Sequence, residues 1–282
     1  MAYLYESEIE EMAIEELQAL GYTYVSGNDL TPDTAPLERK SFADVILRDR
    51  CLSALRRINP HLSDGAIESA LKALYQVAGT YQVTDNEKFH RYLTDGIPVE
   101  YRKKDDVVGD FAYLIDPSDS PGKNEFLAVN QFTIIEKGIN KRPDIILFVN
   151  GLPLVTFELK NAADLNATVK KAYEQLKTYK AAIPQLFSYN EICVISDGLE
   201  AKVGSYTAPF SRFSTWKTKD GLSDASPFED ELSVTLNGLF NRNTLIDYIL
   251  NFVAFEKAKI ENDEKKIIRM RTPLSKITST GE

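Results

Sequence analysis

Two apolar runs flank the dipeptide Asn150-Gly151: Asp144-Ile-Ile-Leu-Phe-Val149 precedes it and Leu152-Pro-Leu-Val-Thr-Phe-Glu-Leu-Lys160 follows. Asn-Gly accepts positive φ and favours a tight turn, so the stretch reads as a buried β-hairpin. Burial admits few charges, yet this hairpin carries Asp144, Glu158 and Lys160. Side chains alternate along a strand, so Glu158 and Lys160 point one way while Phe157 and Leu159 point the other. Two carboxylates ~4 Å apart repel by roughly 1 kcal/mol in bulk water and roughly 4 kcal/mol at the effective dielectric of a protein surface. Bringing Asp144 beside Glu158 therefore asks for a cation. Lys160 supplies one positive charge and a divalent metal would supply two. Oxygen donors with room for water suit magnesium or manganese better than zinc.

Register opposes that meeting. A strict two-residue turn pairs Val149 with Leu152 and, counting outward, sets Asp144 opposite Phe157, on the wrong face for Glu158. A shared site thus predicts a three-residue loop or a bulge, with Pro153, which has no amide to donate, as its place. The competing interpretation is an ordinary ion pair at the strand ends. After the hairpin, a helix is expected from about Ala163 to Ala182, stopped before Pro184. It places Gln175 and Tyr179 on one face, beside an apolar stripe of Leu165, Val169, Ala172 and Leu176.

The rest of the chain alternates helix and strand, which predicts an α/β fold. Residues 6 to 20 have helical apolar spacing ending at Gly21, and Tyr22 to Val25 is strand-like. Phe42 to Leu93 is mostly helical in pattern. Val99 to Ile115 and Phe126 to Glu136 read as strands separated by the loop Asp116-Pro-Ser-Asp-Ser-Pro-Gly122. Glu191 to Ser196 reads as a strand, Ser211 to Asp224 as loop, and Leu245 to Arg269 as helix or helices.

Composition restricts the setting. No apolar run approaches the ~20 residues needed to span a membrane, and the first residues lack a signal peptide's basic start and apolar core. The expectation is a cytoplasmic protein without a membrane partner. Cys51 and Cys193 are too few for a disulfide framework and should be free thiols. His61 and His90 lack the spacing of zinc ligands. The net charge of −9 opposes binding to a polyanion, but its distribution does not. From Lys137 to Lys180 eight basic residues (Lys137, Lys141, Arg142, Lys160, Lys170, Lys171, Lys177, Lys180) face four acidic ones (Asp144, Glu158, Asp164, Glu174). An acidic whole with one basic face implies weak unaided affinity for a polyanion.

The runs Phe126-Leu-Ala-Val-Asn-Gln-Phe132, Arg142-Pro-Asp-Ile-Ile-Leu-Phe-Val-Asn-Gly-Leu-Pro-Leu154 and Phe157-Glu-Leu-Lys-Asn161 closely resemble the N-terminal nuclease region of type I restriction enzyme R subunits. Tyr5-Glu-Ser-Glu, Asn59-Pro60, Val99-Glu-Tyr-Arg102, Gln175-Leu-Lys-Thr-Tyr-Lys180, Val194-Ile-Ser-Asp-Gly198 and Phe252-Val-Ala-Phe-Glu256 extend the likeness in family order. The resemblance implies a PD-(D/E)xK restriction-endonuclease-like fold, a mixed sheet flanked by helices, and magnesium-dependent cleavage of double-stranded DNA. On this chain it makes Asp144 and Glu158 metal ligands together with the Leu159 carbonyl. It gives Lys160 the task of orienting the attacking water or neutralising developing charge. Gln175 and Tyr179 match the family's QxxxY motif, with a supporting role at the site and toward the DNA backbone. A further acid is expected from the first helix, Glu10 first and Glu6 second, although acids at a helix N-terminus also simply complement its dipole.

By the same resemblance, residues 1–220 would form the nuclease domain, with a helical insertion at about 42–95, and 221–282 a helical C-terminal extension toward an ATP-driven motor. No G-x-x-x-x-G-K-[ST] phosphate loop occurs, so ATP would be required only by that motor region. Methylation and specificity subunits are the implied partners. Two other readings remain open: a stand-alone recombination or repair nuclease of the same fold, and a non-catalytic assembly module of a DNA-translocating complex.

Overall fold

The computed structural model describes residues 6–79, 82–103, 106–118, 122–161, 168–260 and 263–271. At its centre lies a six-stranded mixed sheet, ordered β1 (Thr23–Ser26), β4 (Phe126–Asn130), β7 (Ile145–Val149), β8 (Leu152–Leu159), β9 (Ile192–Ser196), β10 (Ala201–Gly204). β1 runs parallel to β4 and β8 parallel to β9, while the other neighbours are antiparallel. Every residue of β7, β8 and β9 is buried, as the unbroken apolar runs require of strands covered on both faces.

Asn150 (φ 54) and Gly151 (φ 76) make the two-residue turn of the central hairpin. Gly151 is required twice over, by its positive φ and because a Cβ there would lie 2.5 Å from the Leu47 carbonyl oxygen, at the start of α2 (Arg48–Ile58). Asn150 is buried and its amide is fully used, donating to the Leu114 carbonyl (2.9 Å) and Asn124 Oδ1 (2.9 Å) and accepting from the Glu125 amide (2.8 Å). The expected irregularity is present. Val149 pairs with Leu152 and Phe148 with Pro153, but Leu147 pairs with Val155, so Leu154 is an extra residue directly after Pro153. Its carbonyl is satisfied by the Glu191 amide (2.8 Å) and Asn190 Nδ2 (3.3 Å). Beyond the bulge Ile145 faces Phe157, which brings Asp144 across from Glu158.

Helices cover the sheet. α1 (Glu6–Ala19) buries Ile9, Ala13, Ile14 and Leu17. α2, α3 (Asp64–Tyr75) and α4 (Gln82–Thr94) form the helical insertion, and the ribbon β2 (Ile97–Lys103) and β3 (Asp106–Ala112) follows it. β5 (Ile134–Glu136) and β6 (Ile139–Lys141) make a second ribbon before β7. α5 (Val169–Ala182) begins at a Thr168 cap and buries Val169, Ala172, Leu176 and Tyr179. Of the predicted stripe, Leu165 lies outside the described residues. α6 (Pro184–Phe187) is one short turn before β9. Near the C-terminus, α7 (Glu231–Leu239) packs against α1 and β10, and α8 (Arg242–Phe252) follows.

One expectation needs correction. The helix predicted over Leu245 to Arg269 stops at Phe252, where Val253 turns extended (φ −87, ψ 127). β11 (Ala254–Ile260) and β12 (Asp263–Arg271) then pair antiparallel. Ala, Glu and Lys give this stretch helical propensity, and strand pairing overrides it.

Cys51 and Cys193 are free, as expected, and both are buried. Among the described residues no helix is long and apolar enough to cross a membrane.

Candidate active site

Asp144 immediately precedes β7, Glu158 and Leu159 end β8, and Lys160 follows. Asp144 Oδ2 accepts the Leu159 amide at 2.7 Å, which fixes that carboxylate to the opposite strand. The Lys160 ammonium donates to Glu158 Oε1 (2.6 Å), the Leu159 carbonyl (2.8 Å) and Glu6 Oε1 (3.3 Å). Lys160 is itself held by its backbone amide, which donates to the Ser196 carbonyl on β9 at 2.8 Å. Glu158 is 0% exposed, and its Oε2 has no hydrogen-bond partner.

Burial dominates the electrostatics. It pushes Glu158 up to about 8, with Asp144 adding to the rise and Lys160 opposing it. Asp144 is pushed up to about 6, again chiefly by burial, against the Leu159 amide and Lys160. Burial works against the Lys160 charge, yet Glu158, Asp144 and Glu6 together hold its pKa above the ordinary lysine value. One ammonium therefore does not balance the carboxylates gathered here.

Both acids singled out on α1 reach the cluster. Glu6 bonds Lys160. Glu10 Oε1 accepts from Asn130 Nδ2 at 2.7 Å and its Oε2 accepts from Gln131 Nε2. The Gln131 amide also lies 3.5 Å from Asp144 Oδ1, and its backbone N–H donates to the Asp144 carbonyl at 2.9 Å. Gln131 adopts φ 52, left-handed for a non-glycine residue. Gly27 packs so close that a Cβ would lie 2.6 Å from the Gln131 carbonyl oxygen. Sequence reasoning missed Gln131 as a member of the site, since only tertiary contact sets it between two carboxylates.

Gln175 Nε2 donates to the Tyr179 hydroxyl at 2.7 Å, and that hydroxyl donates to the Arg142 carbonyl at 3.3 Å. The pair thus grips the backbone two residues before Asp144. Tyr179 is also near enough to Glu158 for each to shift the other's titration, although its hydrogen bond goes to Arg142. Neither histidine joins the site: His90 bonds the buried Glu191 at 3.0 Å, and His61 lies 3.5 Å from Asp110.

Among the described residues no three His, Cys, Asp or Glu side chains are grouped to hold a metal. The donors at hand are two carboxylates and the Leu159 carbonyl, all oxygen, which is the donor type of a hard divalent cation. Buried Glu158 Oε2, with no protein donor, is the kind of position such a cation fills.

A mixed sheet flanked by helices, with a helical insertion and a bulged central hairpin, is a PD-(D/E)xK restriction-endonuclease-like fold. The family model for the N terminus of type I restriction enzyme R proteins matches residues 3–212, and the chain belongs to that family. It is 39% identical over 267 residues to the type I restriction enzyme HindI endonuclease subunit of Haemophilus influenzae, covering 94% of this chain and 25% of that protein. It is 35% identical over 274 residues to the putative type I restriction enzyme MjaIXP endonuclease subunit of Methanocaldococcus jannaschii, covering 89% of this chain and 26% of the relative. The chain thus spans about a quarter of the length of these relatives.

Proposed function

We propose that this chain is the nuclease part of a type I restriction enzyme R subunit, cutting double-stranded DNA with magnesium. In the complete protein, cutting would be coupled to ATP-driven translocation and to methylation and specificity subunits. One observation carries the reading: the Leu154 bulge turns Asp144 to face Glu158, at a cost in strand regularity that an ordinary strand-end ion pair would not require.

Asp144, Glu158 and the Leu159 carbonyl would hold the metal, with Glu10 joining from α1. When bound, magnesium supplies positive charge at the scissile phosphate and makes a water more acidic. The protein's own groups do the rest. The Leu159 amide fixes Asp144, so that carboxylate is oriented before any ligand arrives. Lys160 holds a proton firmly beside Glu158 and would offset the negative charge that grows on the phosphoryl oxygens as water attacks. Gln175 and Tyr179 set the Arg142 backbone and so the approach to Asp144.

The test is cleavage of a DNA duplex in the reconstituted enzyme with native, Glu158→Ala and Lys160→Ala chains. Each substitution is expected to lower the rate by roughly a hundredfold or more, with circular dichroism and complex assembly unchanged. Undiminished cutting by both variants would make Glu158 and Lys160 structural and sink the reading.

A further inference from the structure

Beside the site, the β5–β6 ribbon turns at Lys137 (φ 51) and Gly138 (φ 80) and is anchored at its root. The Ile135 amide donates to the Phe42 carbonyl at 3.1 Å, and the Gln185 amide donates to Glu136 Oε2 at 3.1 Å. Buried Arg39 donates to the Thr133 carbonyl at 2.5 Å and stacks 3.9 Å from the Phe132 ring centre. The tip, Lys137 to Ile139, is exposed.

A groove of about 980 Å³ runs between this ribbon and α5, with Asn140, Lys141 and Arg142 on one wall, Lys171, Glu174 and Gln175 on the other, and Lys160 with Glu6 in it. Lys160 and Lys177 have acidic partners. Among the described residues, Lys137, Lys141, Arg142, Lys170 and Lys171 have none within ion-pair distance. Lys170 and Lys171 also stand in the first turn of α5, where the helix dipole disfavours cations. Helix stability does not explain them.

We propose that the β5–β6 ribbon and the N-terminal half of α5 form a clamp for the phosphate backbone of duplex DNA. The proposal rests on the nuclease reading and adds to it the surface that holds the substrate. Unneutralised cations on both walls of one groove concentrate a polyanion even in an acidic chain, and the anchored root keeps the ribbon wall from folding away.

The experiment is fluorescence anisotropy of a labelled DNA duplex against a salt series, in EDTA so that no cutting occurs. It compares the native chain with Lys137→Ala, Lys137→Ala/Lys141→Ala and, as a control away from the groove, Lys217→Ala. The native chain is expected to bind at low salt, and the slope of log affinity against log salt should fall by roughly 0.9 for each phosphate contact removed. Lys217→Ala should match the native chain. Equal slopes and affinities in the native and ribbon variants overturn the clamp, as does a native chain with no affinity at the lowest salt. Because the assay excludes metal, ribbon-dependent binding here together with no magnesium-dependent cutting by the reconstituted enzyme would instead sink the nuclease reading and leave the clamp standing.

Discussion

Glu158 is wholly buried, has one oxygen without a partner, and faces a second carboxylate, so it binds its proton unusually tightly in the absence of metal. The sign follows from linkage. The folded chain keeps this proton up to about 8, whereas the unfolded chain releases it in the ordinary glutamate range. Metal-free stability is therefore predicted to fall as pH rises across that interval. Asp144 adds to the fall as far as about 6. Urea unfolding in EDTA over this range should show the loss, and Glu158→Gln should flatten it; a native profile as flat as the variant's would contradict the electrostatics. Magnesium, competing with that proton, should bind more tightly as pH rises toward about 8. Gln131 invites a second residue-level test, because its amide joins Glu10 to Asp144. Gln131→Met keeps the length but removes the donor. It should cost roughly 1 kcal/mol in stability and weaken magnesium binding several-fold; unaltered calorimetric affinity would limit Gln131 to packing.

At the scale of elements, the central hairpin was legible because Asn150-Gly151 specifies its turn and the apolar runs specify its strands. Even the irregularity followed from counting, since Asp144 and Glu158 could not meet without it. The identity of the extra residue as Leu154 did not follow, because it depends on the Glu191 amide and Asn190 side chain that receive its carbonyl. β5 was hidden inside a longer strand reading of Phe126 to Glu136 and β6 lay beyond it, while most of the C-terminal ribbon lay inside a helical one. Short ribbons are set by partners distant from the local pattern. On α1, spacing could not choose between Glu6 and Glu10, and the structure brings both to the site through different donors, Lys160 and Gln131. Gly151→Ala tests the hairpin directly. With φ 76 and the Leu47 carbonyl 2.5 Å from the new Cβ, it is predicted to destabilise the fold by roughly 1–3 kcal/mol. A denaturation midpoint equal to that of the native chain would show that the turn and α2 can part without cost.

For the whole molecule, α7, in the extension after residue 220, is not a loose appendage. Glu16 on α1 accepts from Asn237 (2.6 Å) and Ser233 (3.0 Å) on α7, and the Tyr22 hydroxyl donates to the Phe240 carbonyl (2.9 Å). Phe240 also packs on Phe157 of β8, with ring centres 5.1 Å apart. Truncation after Asp220 would uncover this apolar face and is predicted to lower the melting temperature and promote aggregation. An unchanged melting curve would instead establish 1–220 as self-sufficient. The most direct test of the site is isothermal calorimetry of magnesium with the native, Asp144→Ala and Glu158→Ala chains, each checked for folding. Binding by the native chain that is lost in both variants is the predicted result, whereas three indistinguishable titrations would contradict a two-carboxylate metal site.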